Sequence, residues 1–148
     1  MSFFITGLPR SRTAWFSAFM TASGYPCGHE LINNCETVEE YADKIKYLSD
    51  STTALPFIKS PYPDRKTLVI HRDDSPIREH AFRLDTISGL HVDFIDIGIR
   101  IGEIFEYLTG SKINMDIYEI FRQLNITTME EMNDEATIRL LSSANKQD

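Results

Sequence analysis

A chain of 148 residues with 42% hydrophobic and 11% aromatic side chains has the length of a single domain, spanning 1–148. It can bury a real core, roughly two-thirds of its unfolded surface. A net charge of -7 excludes a general nucleic-acid or membrane-surface binder, since both need a positive field, and Cys27 and Cys35 are too few for a disulfide framework and lack zinc-ligand spacing.

The chain opens with Phe3-Phe4-Ile5, a continuous apolar run of the kind a parallel strand buries on both faces. Gly7 and Pro9 break it. From Thr13 the chain is apolar at helical spacing, through Ala14, Trp15, Ala18, Phe19 and Ala22. Ser23 to Pro26 interrupts that helix, and Pro26 to Leu31 reads as a second short strand carrying His29 and Glu30. Thr37 is an N-cap for a helix to about Leu48, with Glu39 and Glu40 in its first turn. Ser49 to Thr53 reads as polar loop, and Ala54 to Ile58 as a short strand weakened by Pro56. Tyr62 to Arg65 is turn chemistry. Thr67 to His71 is the clearest strand in the chain. Ser75 and Pro76 then start a helix to about Leu84. Leu90 to Ile95 reads as a strand near an edge. Three helices complete the chain: Ile97 to Leu108 stopped by Gly110, Met115 to Leu124, and Glu130 to Leu141.

Strands alternating with helices predict an α/β fold, a parallel sheet of about four or five strands with helices on both faces and a helical C-terminal part. Right-handed crossovers put the strand C-terminal ends on one edge, where ligands bind. The Gly7 turn, His29-Glu30, Lys59-Ser60 and Arg72 each follow a predicted strand, so all are expected on that edge. The start lacks the charged and apolar regions of a signal peptide, and no run approaches membrane-spanning length. A reduced, cytoplasmic setting is the expectation.

The turn between the first strand and first helix is the richest stretch. A helix N-terminus leaves backbone N–H groups unpaired and carries partial positive charge. Arg10, Ser11, Arg12 and Thr13 add two cations and two hydroxyls there. The chemistry called for is an anion with several oxygens, most simply a phosphate. The pattern is not a Walker A loop. Counted from Gly7, Arg12 takes the place of the second glycine, Thr13 of the lysine and Ala14 of the hydroxyl. The predicted strand Pro56-Phe57-Ile58 ends in Lys59, a cation where a magnesium site needs an acid. No metal is expected.

Thr6-Gly7-Leu8-Pro9-Arg10-Ser11-Arg12-Thr13-Ala14-Trp15 resembles the 5′-phosphosulfate loop of the PAPS-dependent sulfotransferases, whose usual form is P-K-S-G-T-T-W. Pro9, Ser11, Thr13 and Trp15 match, Arg10 stands at the family's bridging lysine, and Arg12 stands at its glycine. Leu68-Val69-Ile70-His71-Arg72-Asp73 resembles the strand closed by an Arg that binds the 3′-phosphate. The serine the family places eight residues on is His80 here. Val92 to Ile97, with Ile104 to Gly110, is a weaker echo of the family's late strand and following helix.

The resemblance implies a P-loop NTPase-like three-layer fold in a small phage- or bacterial-type member. It implies transfer of a sulfuryl group from PAPS to a hydroxyl or amine of an unidentified acceptor. Arg10 would assist the bridging oxygen. Gly7, Pro9, Ser11, Arg12 and Thr13 would cradle the 5′-phosphate, Arg72 would grip the 3′-phosphate, and Lys59 is a further phosphate candidate. His29 and Glu30, on the ligand edge, are the general-base candidates.

Other residues read more plainly. Trp15 is core, Cys27 and Cys35 are inert, His71 packs at a strand end, and Arg78 and Arg83 form a solvated helix face. The acids at 130, 131, 134 and 135 form a solvated helix start. Two alternatives stand beside the transferase: a non-catalytic nucleotide- or anion-binding module, with a homodimer as one form, and a small-molecule or nucleotide kinase on the same scaffold.

Overall fold

The computed structural model describes residues 2–9, 11–72 and 80–124. Five strands form one all-parallel sheet: β1 (Phe3–Gly7), β2 (Cys27–His29), β3 (Ser49–Ser51), β4 (Lys66–His71) and β5 (Leu90–Asp93), in the order β2-β3-β1-β4-β5. The helices are α1 (Thr13–Ala22), α2 (Val38–Lys44), α3 (Ala81–Leu84), α4 (Ile101–Thr109) and α5 (Met115–Phe121). The expected α/β architecture is therefore present. The helix predicted over 130–141 and the start of the one at 75–76 lie outside the described residues. Among the described residues no helix is long and apolar enough to cross a membrane.

β1 is the axis of the sheet. All five of its residues are buried, and it pairs with β4 from Phe3 opposite Lys66 to Gly7 opposite Ile70. Alternation splits its side chains between two cores. Phe3 and Ile5 join Leu68, Ile70 and Val92 under α1, α4 and α5. Phe4 packs with Tyr41, Ile45 and Leu55 on the α2 side, while Leu8, Val69 and Leu84 pack beneath α3. Phe3, Phe4, Phe16, Phe19 and Phe121 are each at most 1% exposed, and burying one such ring contributes about 1.5–3 kcal/mol. One face carries the single crossover that moves toward β2, and the other carries the three that move toward β5. Right-handed crossovers require that division.

The local helix signals hold where they are covalently close. Thr37 caps α2 by accepting from the Glu40 amide at 3.1 Å. Gly110, at φ 75, ends α4. The Trp15 indole sits in the core and donates to the Phe121 carbonyl at 2.8 Å, tying α1 to α5.

Two expectations fail together. Ser49 to Thr53, read as polar loop, contains β3, which lies between β2 and β1. Ala54 to Ile58, read as a strand, contains a 3-10 turn over Leu55–Phe57 with Pro56 inside it. β3 carries only Ser49, Asp50 and Ser51, all buried. It is tolerated because each polar side chain finds a distant partner. Ser49 Oγ accepts from the Phe3 amide at 2.9 Å, Asp50 accepts from the Tyr41 hydroxyl at 2.5 Å, and Ser51 Oγ donates to the Thr13 carbonyl at 2.7 Å.

Candidate anion site at the centre of the sheet

The chain leaves β1 across the α1 face and leaves the neighbouring β4 across the α3 face. The C-terminal ends of two adjacent strands with diverging connections frame the crevice in which open α/β sheets hold ligands. Gly7 makes the turn possible there. A Cβ on it would lie 2.9 Å from Ser11 Cβ and 3.0 Å from the Ile70 carbonyl oxygen. The turn folds back against β4 so closely that only glycine fits.

Past Gly7, Leu8 is buried and Pro9 is half-buried. Arg10 lies outside the described residues. Ser11 is 0% exposed, yet its hydroxyl has no hydrogen-bond partner among the described residues. An unmet buried hydroxyl costs about 1–3 kcal/mol and invites an acceptor. It stands directly before the ten-residue α1, whose N-cap, Arg12, offers no side-chain cap. Arg12 adopts φ 67 and ψ 24, the left-handed conformation that favours glycine.

Two arginines converge here through a residue the sequence reading did not single out. Phe94 opens a one-turn 3-10 helix directly after β5. The Arg72 guanidinium lies 4.0 Å from the centre of its ring, and the Arg12 guanidinium 5.4 Å from it. Arg12 also lies 5.6 Å from the Trp15 ring. The structure thus brings Ser11, Arg12, Thr13 and Arg72 to one crevice. The only advance sign of Phe94 was its position after a strand on the same edge.

The candidate bases are arranged unequally. His29, at the end of β2, places Nε2 3.3 Å from Thr13 Oγ1. Burial lowers its pKa, opposed by the charge of Glu30, so the imidazole is neutral at pH 7 and can accept a proton. Glu30, at φ 51, accepts from Thr52 Oγ1 at 3.0 Å and from the Thr53 amide at 2.6 Å. Its carboxylate thus secures the turn that follows β3.

Lys59 does not follow a strand. It is an exposed residue beyond the 3-10 turn, because the strand placed before it does not form. β3, one of the two strands beside β1, carries an acid, Asp50. Burial raises the Asp50 pKa to about 6, with the Tyr41 hydrogen bond acting against the shift. Asp50 lies opposite Phe4 and bonds to α2, whereas Ser51 bonds back to α1. The acid therefore faces away from the Ser11 turn. Behind it, Arg65 stacks on Tyr62 at 4.2 Å and Phe4 at 4.9 Å and donates to the Ile45 and Leu48 carbonyls.

His71 is more than packing. Its Nε2 lies 2.7 Å from His91 Nδ1, and His91 Nε2 lies 2.7 Å from the Ile87 carbonyl. A carbonyl only accepts, so His91 Nε2 carries a proton, and in neutral His91 the Nδ1 atom then accepts from His71. This chain of bonds braces the end of β4 immediately before Arg72.

Among the described residues no group of three or more His, Cys, Asp or Glu side chains is arranged to hold a metal ion. No protein-family model matches the chain, and no curated protein or solved structure shows significant similarity to it.

Proposed function

We propose that the crevice binds a nucleotide carrying two separate anionic groups, of the PAPS type, and that the chain transfers the sulfuryl group to a hydroxyl or amine acceptor. One observation carries the reading. The buried Ser11 hydroxyl, unpartnered among the described residues, stands at the start of α1 next to Arg12, whose guanidinium shares the Phe94 ring with that of Arg72. A P-loop-like assignment is part of the proposal, supported by the strand order and by the tight Gly7 turn before α1.

In this reading the α1 N-terminus, Ser11 and Thr13 hold the 5′-phosphate, with Arg12 at its rim and Arg72 on the 3′-phosphate as a bidentate fork. Arg10 retains the role at the bridging oxygen that the sequence resemblance implies. The acceptor oxygen or nitrogen attacks sulfur while the bond from sulfur to the 5′-phosphate oxygen breaks, and the acceptor proton passes to a base. Neutral His29 fits that task, and Glu30 supports it by fixing the turn after β3. Positioning and stabilisation of charge on the leaving phosphate supply the catalysis. The kinase alternative gains no support from Asp50, because that acid faces α2.

The test is thermal shift with PAP, PAPS, ATP with Mg²⁺, and inorganic sulfate. A ligand at a hundred times its Kd stabilises by ~2.7 kcal/mol. Stabilisation by PAP without metal, lost in Arg72→Ala and Ser11→Ala, is expected. A response confined to ATP with Mg²⁺ would overturn the proposal, and silence to every nucleotide would leave a binding module of another kind.

A further inference from the structure

Arg83 was expected on a solvated helix face, and it is not there. It stands on α3 with its guanidinium 5.1 Å from the Phe57 ring centre and 5.5 Å from that of Phe82. Its Nε is buried without a hydrogen-bond partner among the described residues. Both rings remain open, Phe57 at 45% exposed and Phe82 at 62%. His80 closes one side, edge-on to Phe57 at 5.3 Å.

A half-buried guanidinium with no anion among the described residues pays desolvation without return. Two exposed phenyl rings turned to the same cation add apolar surface that water solvates poorly.

We propose that Arg83, Phe57 and Phe82 form a second binding site, for a one- or two-ring aromatic compound bearing a carboxylate or other anionic group. The anion takes the guanidinium as a fork, and the ring lies against the phenyl faces. A small anion gains only the first contact and a neutral arene only the second. The site stands apart from the nucleotide reading, since its residues lie on the 3-10 turn after β3 and on α3 rather than after β1.

The test is a ¹H–¹⁵N NMR titration of the full chain with 2-naphthoate, with acetate and 2-naphthylmethanol as controls. The expected result is a saturable shift of the Phe57, Phe82 and Arg83 amides. Either control should bind at least about tenfold more weakly, as should Arg83→Gln and Phe82→Ala variants whose spectra stay dispersed. Arg72→Gln should bind as the wild type does. No saturable shift at these amides, undiminished binding by Arg83→Gln, or loss of binding in Arg72→Gln would overturn the proposal.

Discussion

Arg12 can be replaced in two ways that differ only in what they do to the backbone. At φ 67 and ψ 24 a side chain with a Cβ pays about 1–2 kcal/mol, while glycine pays nothing there. Arg12→Ala deletes the guanidinium and keeps the strain. Arg12→Gly deletes the guanidinium and relieves it, less about 0.5–1 kcal/mol for the extra freedom glycine has when unfolded. Both lose the contacts with Trp15 and Phe94, which at an exposed site contribute about 0.5–1 kcal/mol each. The glycine variant should therefore exceed the alanine variant by about 0.5–1 kcal/mol, roughly 2 °C in Tm for a chain of this size. Urea unfolding of the two variants, with and without PAP, measures both effects. PAP should bind the two variants equally, and each about tenfold more weakly than wild type. An alanine variant at least as stable as the glycine variant would refute the strain argument. Wild-type PAP affinity in either would refute the role of the guanidinium. An arginine held in a glycine conformation at a helix start is strain located where a ligand would repay it.

Three further outcomes follow from the same geometry. Asp50 has a raised pKa, about 6 against an ordinary 3.8, so its contribution to stability is full below pH 3.8 and is lost as pH rises through 6. Asp50→Asn should match wild type near pH 4 and exceed it by roughly 2–3 kcal/mol at pH 8 in urea titrations, and a difference that does not change with pH would refute this. Ser11→Ala should leave the unliganded chain as stable or about 1 kcal/mol more so, while weakening PAP binding in a thermal-shift assay; a clear loss of unliganded stability would mean the hydroxyl is already satisfied. Gly7→Ala places a Cβ 3.0 Å from the Ile70 carbonyl and should cost about 1–3 kcal/mol by circular-dichroism melting, and an unchanged melt would show that the turn has slack.

What could be read from the sequence alone was what neighbours along the chain decide. The apolar run at Phe3 to Ile5, the break at Gly7, the helical spacing from Thr13, the Thr37 cap and the Gly110 stop are local, and their elements form, with α2 ending at Lys44 rather than Leu48 and α4 starting at Ile101 rather than Ile97. The placing of Ser11, Thr13, His29 and Arg72 on one sheet edge followed from a parallel sheet with right-handed crossovers, which needs only the alternation of elements. Tertiary structure decided the rest. β3 contains no apolar residue and is a strand because Phe3, Tyr41 and Thr13 supply its hydrogen-bond partners from up to 46 residues away. No periodicity signals that, and misplacing the strand also misplaced Lys59. The Phe94 ring could join Arg12 to Arg72 only once β4 and β5 were side by side. The left-handed backbone at Arg12 runs against local preference, so the surrounding fold must impose it. Hydrophobic spacing is carried along the chain, whereas the pairing of buried polar groups and the placing of strain are settled between segments that meet only on folding.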